Sequence, residues 1–291
     1  MLHRSWSDRL IDGINIVLLG IIGLVMLLPF LYIFSVSFSS MKEYISSDLL
    51  LWPKEWVLDA YQYIFSSSSF IRSLGVTVFV TVTGTAFNLL FTSAMAYGLT
   101  RRLVGQSFIL FLVLFTILFS AGMIPSYLIV KETGLLDSLW ALIIPAAIAP
   151  FNLIVMRQFF LNIPEELNEA AFIDGANELQ TFARLILPLS KPALATFCLF
   201  YAVGHWNNYF AGILYLNDPT KWPIQVVLRQ IVVLNDPVNS LGAVEMLMEN
   251  PPPPETIQMA AILVATVPIL IVYPFLQKHF AKGVMIGSIK G

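Results

Sequence analysis

The run of residues from Glu169 to Pro188 has the residue types and spacing that best suit transmission of movement. Glu169-Ala170-Ala171 is followed by Gly175 and, after nine intervening residues, by Leu185-Ile186-Leu187-Pro188. A glutamate can pair with a cationic partner, and two alanines leave room for close approach. Glycine permits a bend between two helices because it has no Cβ. The pattern predicts a hinged helical hairpin that docks onto another protein, with Glu169, Ala170, Ala171, Asp174, Gly175, Leu179 and Phe182 at the contact.

Local signals define the two helices of this hairpin. Asn162 or Asn168 is expected to cap the first helix, and Asn177 the second. Glu165 and Glu166 complement the positive end of the first helix dipole. Helical spacing then predicts one apolar stripe, formed by Leu179, Phe182, Ala183, Ile186 and Leu187. A helix lying on lipid is the alternative, but the basic face that anionic lipid attracts is missing from this acidic segment.

A second group of polar residues lies within an uncharged stretch. His205-Trp206-Asn207-Asn208-Tyr209 begins 13 residues past Pro192, which places it about 20 Å along a helix that enters a membrane there. Polar groups at that depth usually face a cavity or another helix. Imidazole, amide and aromatic groups suit a saccharide path, whereas bonding between helices would explain them equally well. On a continuous helix, His205 and Tyr209 would share one face. Bonding between helices is the preferred interpretation for Asn88, Tyr97, Tyr127 and Asn152.

The elements that position both groups are membrane-spanning helices. Hydrophobic residues make up 57% of the 291 positions and charged residues 12%, against about 25% charged in soluble domains. Uncharged windows reach the roughly 18 to 20 residues that a helix needs to cross a bilayer. The windows cover residues 13–40, 73–100, 103–130, 138–156, 192–217 and 256–277. We predict an all-α polytopic membrane protein with six spans and a single domain, 1–291.

The distribution of Lys and Arg predicts the orientation. With the N-terminus inside, inner segments hold ten of the sixteen basic residues, including Arg101-Arg102 in a very short loop. Both termini and the inner loop 157–191, which contains the hairpin, would then be cytoplasmic. The first apolar run is too long for a signal peptide core and no A-x-A site follows it, so we expect it to be a span.

Several chemistries are excluded by what the sequence lacks. Cys198 is the only cysteine, so an intrachain disulfide or a cysteine metal cluster cannot form. Three histidines stand far apart, and neither H-E-x-x-H nor G-x-S-x-G occurs. No metal site and no catalytic residue are predicted. A G-x4-G-K-[S/T] phosphate loop is absent, so this chain is not expected to bind ATP. The net charge of −2 gives no sign of nucleic-acid binding.

The outer loop 218–255 is the longest connection by this topology. About forty residues exceed what a connector requires, so contact with a partner is favoured. The outer segments together carry eleven acids and six bases, a balance of −5 that provides no electrostatic funnel for an acidic saccharide.

The hairpin pattern and the six-span plan resemble the permease subunits of carbohydrate-uptake ABC importers, the maltodextrin-type group. Trp206-Asn207 and the ending Gly287-Ser288-Ile289-Lys290-Gly291 are similar as well. Within the group, the chain looks closest to permeases for complex oligosaccharides released from polysaccharides. Leu185 departs from the pattern mildly, since isoleucine is commoner there.

The resemblance implies a type I importer permease fold in a bacterial plasma membrane. It implies four kinds of partner: a second related permease, an ATPase dimer on the cytoplasmic face that uses ATP and Mg, an external solute-binding protein, and the oligosaccharide. Glu169, Ala170, Ala171, Asp174 and Gly175 would occupy the ATPase cleft. ATP binding would close the ATPases, move the hairpin and open the cavity outward.

Two rival classes of protein fit the sequence less well. A secondary transporter or channel for a small polar solute usually carries intramembrane carboxylates or broken-helix repeats, and none of the six windows contains an acid. A membrane-embedded enzyme lacks a recognisable catalytic constellation here. We therefore expect a transport subunit that catalyses no covalent step.

Overall fold

The structure is a computed structural model that describes residues 6–46, 50–101, 103–233 and 252–285. Within these residues the chain forms helices and turns, and no strand occurs. It divides into two compact units. The first comprises Met1–Phe70 and Leu228–Thr266, and the second comprises Ile71–Val227 and Val267–Gly291. The all-α fold predicted from the sequence is confirmed.

The first unit begins with the long apolar helix α1. It covers Trp6–Ser37 and has Pro29 inside it. No residue in the most apolar part of Leu10–Ser37 is buried. A helix that is apolar on all sides and unburied suits direct contact with lipid or with another membrane helix. Shorter helices follow at Met41–Ser46 (α2) and Asp59–Ser66 (α3).

The segment after α1 is ordered by aromatic and carboxylate contacts. The Trp56 ring lies 5.3 Å from Phe38 and 5.7 Å from Trp52, between ring centroids. Glu43 is buried, and its Oε1 accepts a hydrogen bond of 2.7 Å from the Lys54 amide. Because a buried carboxylate needs such donors, Glu43 fixes the path of the loop against α2.

The second unit contains most of the helices. They are α4 (Ser68–Gly98, which starts in the first unit), α5 (Gln106–Leu118), α6 (Met123–Glu132), α7 (Pro150–Leu161), α8 (Glu165–Ile173), α9 (Glu178–Thr181), α10 (Leu187–Leu189), α11 (Lys191–Trp206) and α12 (Phe210–Tyr215). A π-helical turn, Phe182–Ile186, joins α9 to α10. Short 3₁₀ turns cover Leu139–Leu142, Ile144–Ala146 and Pro219–Lys221. Helices α13 (Ile224–Val232) and α14 (Pro254–Met285) pass from one unit to the other.

Two apolar cores hold the second unit together. One packs the end of α4 against α7, the π-helical turn and α11, around Met156, Ile186 and Phe197. The other joins α4, α6, the first 3₁₀ turn and α12, around Ile143 and Leu216. The side chains of α4 take part in both, so this span is the central support of the unit.

Three helices among the described residues are long and apolar enough to cross a membrane without interruption: α1, α4 and α14. Two bent pairs bring the number to five if each is one span. Leu139–Ala146 with Pro150–Leu161 bends by 50°, and Glu178–Leu189 with Lys191–Trp206 bends by 83°. These five correspond to all the predicted windows except 103–130, which contains the shorter apolar helix α5. The count of six spans stays a prediction.

Besides the bent pair in window 138–156, two further predicted spans are not continuous helices. In window 103–130, α5 ends at Leu118 and α6 starts at Met123, with Gly122 at φ 83° between them. In window 192–217, α11 ends at Trp206 and α12 starts at Phe210. An uncharged window predicts immersion in the membrane but not a continuous helix, because a break in a helix need not contain a charged residue.

Some predicted features lie outside the described residues. They are Arg102, residues 234–251 of the outer loop 218–255, and the ending 287–291.

Candidate functional sites

The predicted hairpin is present as α8 and α9, with Gly175 between them. Gly175 has φ 85°, the left-handed conformation that glycine adopts without strain. Its amide bonds to the Phe172 carbonyl at 3.0 Å, and the Ala176 amide bonds to the Ala171 carbonyl at 2.9 Å. This pair of bonds satisfies the last carbonyls of α8 in a Schellman motif. The glycine therefore ends one helix and redirects the chain into the next.

Asn177 caps α9, as the sequence predicts. Its Oδ1 accepts from the Gln180 amide at 2.8 Å, and Gln180 Oε1 accepts from the Asn177 amide at 3.0 Å. This reciprocal capping box satisfies two amides that the helix leaves open. The start of the second helix is thus set by local sequence.

The predicted cap of the first helix is wrong. Asn162 ends α7 as its C-cap, and Asn168 lies inside α8. Pro164 occupies the N-cap position of α8 and no side chain caps it. Glu165 and Glu166 do lie in the first turn, where they favour the positive helix end. Two asparagines near a helix start do not show in the sequence where the preceding helix ends.

The docking residues predicted on the hairpin fall into two groups. Glu169, Ala170, Asp174 and Gly175 are exposed, Leu179 is 74% exposed, and Ala171 is half-buried. Phe182 is buried instead, with its ring centroid 5.1 Å from that of Tyr97. Its assignment to the contact surface is corrected, because a core side chain anchors the hairpin and cannot also face a partner.

Sequence reasoning missed two apolar residues on this surface. Ile173 is 86% exposed and Phe172 is 41% exposed, next to Asp174 at the end of α8. Isolated exposed apolar residues are ordinary, but Phe172 and Ile173 lie in the same hairpin as the exposed Leu179. The signal in the sequence was an apolar pair outside the predicted stripe. The surface thus mixes acidic and apolar groups.

The predicted apolar stripe is only partly realised. Phe182 and Ile186 are buried, whereas Leu179 and Ala183 are exposed. The π-helical turn Phe182–Ile186 explains the difference, since the Leu187 amide bonds to the Phe182 carbonyl five residues back. Such a turn inserts one extra residue, so residues on either side of it no longer share a face.

The intramembrane histidine belongs to a polar network between helices. His205 Nε2 lies 2.7 Å from Asn88 Oδ1, and Asn88 Nδ2 donates to the Ala146 carbonyl. Because the amide nitrogen serves Ala146, its oxygen accepts and His205 donates. Both side chains are buried. The predicted role of Asn88 in bonding between helices agrees with this geometry.

A second link lies one helical turn away, later in α4 at Thr92 and earlier in α11 at Tyr201. Tyr201 Oη and Thr92 Oγ1 are 2.7 Å apart, and Tyr201 Oη accepts from the Ala149 amide at 3.2 Å. Ala146 and Ala149 flank the break between the 3₁₀ turn and α7. Backbone groups freed by a break inside a membrane need protein partners. Side chains of α4 and α11 supply them here.

Gly84 makes room for His205. A Cβ at Gly84 would lie 2.6 Å from His205 Nε2 and 2.8 Å from Cε1. Real Cβ atoms do not approach a ring so closely, so α4 can pack against the imidazole only with glycine at this position. The surroundings of His205 favour a structural role over a transport path.

The other residues of the polar run lie at the helix break. Asn207 is exposed and its Nδ2 donates to the Val203 carbonyl at 3.0 Å. Asn208 Oδ1 accepts from the Ala211 amide at 3.2 Å and so caps α12. Tyr209 is 45% exposed. The expectation that His205 and Tyr209 share one helix face is wrong, because α11 ends between them.

Trp206 is buried and borders an apolar cavity of about 190 Å³ within the second unit. Side chains of α4, α11 and α14 line it, and Thr81 is the only polar residue besides Trp206. Such a lining offers sugar hydroxyls few hydrogen bonds. Trp206 therefore has surroundings that suit packing.

An ion-pair cluster in the second unit joins Asp137, which precedes the first 3₁₀ turn, to the segment after α12. Lys221 Nζ donates to Asp137 Oδ2 at 2.8 Å and to the Asp137 carbonyl at 2.7 Å, and it lies 3.7 Å from Asp218 Oδ2. Asp137 Oδ1 accepts from the amides of Asn217 and Asp218. The hydrogen bond from Lys221 lowers the pKa of Asp137, and bonds from Thr220 lower the pKa of Asp218. The bond with Asp137 raises the pKa of Lys221.

No group of three or more metal-ligating side chains occurs among the described residues. The described residues thus form apolar helices, an exposed hinged hairpin and a buried polar network between helices.

Comparison with known proteins identifies the family. The model described as "binding-protein-dependent transport system inner membrane component" matches residues 106–286. The chain belongs to this family, which confirms the predicted membership of the ABC importer permeases. It is a transport subunit of a membrane complex and not an enzyme.

Two relatives in Bacillus subtilis (strain 168) match along almost the whole chain. Protein LplC is 53% identical over 292 residues, covering 100% of this chain and 98% of its own. The polygalacturonan/rhamnogalacturonan transport system permease protein YtcP is 53% identical over 286 residues, covering 98% of this chain and 100% of its own.

A solved structure has the same fold. It belongs to a bacterial ABC transporter involved in the import of the acidic polysaccharide alginate. Its chain is 39% identical with a TM-score of 0.89, and the match covers 96% of this chain and 100% of that chain. The predicted importer permease fold is thereby confirmed.

Proposed function

We propose that this chain is the permease subunit through which an ABC importer takes up an oligosaccharide released from an acidic polysaccharide. Similarity along nearly the whole chain to the polygalacturonan/rhamnogalacturonan permease is the observation that carries the substrate class. The relative of known structure serves alginate import. Polygalacturonan, rhamnogalacturonan and alginate all contain sugar rings that carry carboxylates. An oligosaccharide of such uronate rings is therefore the substrate class that they share.

The balance of charge on the outer side assigns delivery to a binding protein. Acids outnumber bases in the outer segments, so a free acidic saccharide would be repelled rather than attracted. A solute-binding protein that covers the carboxylates removes this repulsion until the sugar reaches the cavity. The family description, a binding-protein-dependent system, supports this division of labour.

On the cytoplasmic face, the hairpin docks into a cleft of a separate ATPase. Support comes from the exposure of Glu169, Asp174 and Leu179, together with the anchoring of Phe182 in the core. An exposed tip on a fixed base can receive a push and pass it to the spans. The partner ATPase pair binds ATP and Mg, and this chain binds no cofactor.

The complete importer contains a second, related permease beside this chain, and both termini face the cytoplasm. The apolar and unburied surface of α1 supports contact with lipid or with such a partner. Of the residues predicted for the translocation path, Asn207 and Tyr209 remain the candidates, because they are exposed at the break after α11. His205 and Trp206 are buried, and Asn208 caps α12.

Purification and reconstitution test this proposal. The tagged chain is purified from its native membrane, co-eluting subunits are identified, and the complex is placed in liposomes with its binding protein. We expect ATP hydrolysis to rise when the binding protein carries an oligogalacturonate or oligoalginate, and to stay basal with a neutral maltodextrin of equal length. Equal stimulation by the neutral sugar would refute the acidic substrate class, and elution without an ATPase would refute the coupling.

A further inference from the structure

Arg101 lies where the end of α4 meets the hairpin. Its Nε is 3.2 Å from Glu178 Oε2, an ion pair too bent to be a hydrogen bond. Its Nη2 donates to Tyr97 Oη and lies 3.4 Å from Asn168 Oδ1. Tyr97 Oη in turn donates to Glu178 Oε2 at 2.5 Å. One guanidinium therefore connects the last turn of a span with both helices of the hairpin.

The same guanidinium packs against two aromatic rings. Its Cζ is 4.6 Å from the centroid of Tyr97 and 5.6 Å from that of Phe172. A planar guanidinium stacks on rings and donates at its edge at the same time, which an ammonium group cannot do. Phe172 belongs to α8 and Glu178 to α9, so Arg101 bridges the two sides of the bend.

Gly175 itself contributes no side-chain contact to the bend. A Cβ at Gly175 would meet no atom within 4 Å, and only Ala176 and Asn177 separate the glycine from α9. Without contacts from other side chains, the angle between α8 and α9 would change at little cost in free energy. The contacts of Arg101 are the ones that cross it from outside.

Exposure indicates that these contacts act through geometry more than through charge. The Arg101 side chain is 23% exposed and that of Glu178 is 58% exposed. An ion pair so accessible to water contributes little by itself. Hydrogen bonds and ring contacts that share one rigid fork, however, restrict the fork to one orientation.

We propose that Arg101 is a positioning residue that holds the hairpin at a fixed angle to α4, so that movement of the docked hairpin is passed into the span. The proposal rests on the proposed docking of the hairpin to the ATPase. Without Arg101, the hairpin would still dock, but the bend at Gly175 would absorb part of each ATP-driven movement. The importer would therefore transport fewer sugars per ATP, which is the measure of coupling.

The test compares variants in the reconstituted importer. For Arg101→Ala we expect assembly with the ATPase and about a tenfold loss of sugar transported per ATP, equivalent to about 1.4 kcal/mol. Arg101→Lys keeps the charge but loses the planar fork, so it should restore only a minor part of the coupling. The double variant Arg101→Ala/Glu178→Ala should lose less than the sum of the two single losses, because the contact between Arg101 and Glu178 is counted in both and only the bond from Tyr97 to Glu178 is lost in addition.

Arg157 provides the matched control. Its Nε donates to the Leu99 carbonyl at 2.7 Å. Leu99 lies in the same short segment as Arg101, but this hydrogen bond does not involve the hairpin. Arg157→Gln should keep transport per ATP close to wild type. An equal loss in Arg157→Gln would show that loosening the segment is sufficient, and would overturn the role of Arg101 at the bend.

Failure of this proposal is distinguishable from failure of the docking. Normal coupling in Arg101→Ala, with transport abolished in Glu169→Lys, would overturn the positioning role and leave docking intact. Normal transport in both would overturn docking. Should Arg101→Ala not accumulate in the membrane, Glu178→Gln and Tyr97→Phe decide the question, since each keeps the side-chain shape. Wild-type coupling in both of these would contradict the proposal.

Discussion

The hairpin and the buried polar network between helices use polar side chains in opposite ways. On the hairpin, Glu169 and Asp174 are exposed and make no side-chain hydrogen bond or ion pair within the part of the chain that the structure describes. In the network, Asn88 and His205 are buried and bonded to each other. Exposure with unused bonding capacity suits a partner, whereas burial with satisfied bonds suits architecture.

This difference changes the interpretation of the polar run in the membrane. From composition alone, its residues fit a sugar path and bonding between helices equally well. The structure gives His205 a side-chain partner on α4 and a glycine that accommodates its ring. A group held in this way cannot easily turn toward a passing sugar, since Asn88 would lose its donor in a low-dielectric environment.

The largest effect is expected at the hairpin. Glu169→Lys and Gly175→Trp should each lower transport and substrate-stimulated ATP hydrolysis by about 100-fold. Charge reversal removes attraction to a cationic cleft, and a side chain at φ 85° forces the bend to change. Transport into vesicles and ATP hydrolysis measure the loss, with membrane insertion checked by immunoblot.

Glu132→Lys is the control for the charge reversal. It changes an exposed glutamate at the end of α6, on the predicted outer side, and should transport normally. Normal coupling in both hairpin variants would show that the exposed acids of the hairpin bind no partner. The proposed difference between the hairpin and the polar network would then be wrong.

Labelling decides whether the hairpin lies on the side of the ATPase. In a Cys198→Ser background, we expect Lys42→Cys to react with an impermeant thiol reagent from outside intact cells, and Lys290→Cys to react only after permeabilisation. The excess of Lys and Arg in the inner segments is the reason. The opposite pattern would place the hairpin outside, where no ATP-driven partner could reach it.

A moderate effect is expected where α4 meets the imidazole. Gly84→Ala should destabilise the protein by about 1 to 3 kcal/mol, because the new Cβ overlaps His205. The thermal unfolding midpoint of the purified protein measures the change. His205→Ala in the Gly84→Ala background should recover part of the loss by making room, at the expense of an unpaired Asn88.

Substrate selectivity sharpens the same point. If His205 is architectural, Gly84→Ala should change stability without changing which saccharide is carried. A shift in preference between acidic and neutral oligosaccharides, at unchanged stability, would move His205 into the path and reverse the assignment.

The smallest effect is expected at the ion-pair cluster. The pKa of Asp137 is lowered from its ordinary value of 3.8 by the bond from Lys221, so the folded state releases this proton more readily than the unfolded state. Its contribution to stability is therefore fully present above about pH 3.8 and is lost as the pH falls through the lowered pKa. The thermal midpoint of Asp137→Asn should lie slightly below wild type at pH 6.

Comparison across pH provides the control for this prediction. The difference between wild type and Asp137→Asn should shrink as the pH falls below 3.8, because protonated Asp137 resembles the amide. A difference that stays constant at low pH would show that the carboxylate charge contributes nothing there.

The hairpin illustrates how much local sequence can predict. Gly175 and the Asn177 cap follow from residues within one turn, and the structure has both. The predicted cap at Asn162 failed because the preceding helix α7 extends to that residue. The apolar stripe failed at Leu179 because the π-helical turn shifts the register, and periodicity assumes an uninterrupted α-helix.

Long-range pairings were not predictable from any pattern. Asn88 and His205 are 117 positions apart, and Tyr97 and Glu178 are 81 apart. The sequence predicts only that Arg101 lies in a very short inner loop and that Glu178 follows the cap residue Asn177. Nothing in the sequence indicates that the two side chains meet, because their contact depends on how α4 and the hairpin pack.

Immersion in the membrane, the helical class and the hinged hairpin were determined by the sequence itself, since hydrophobicity, helix caps and glycine act over short distances. Only the tertiary structure decided which polar groups are hydrogen-bonded inside the protein and which stay available to partners. Burial and hydrogen bonding depend on neighbours brought together by packing. For this reason Phe182 and His205 became structural, while Ile173 joined the exposed surface.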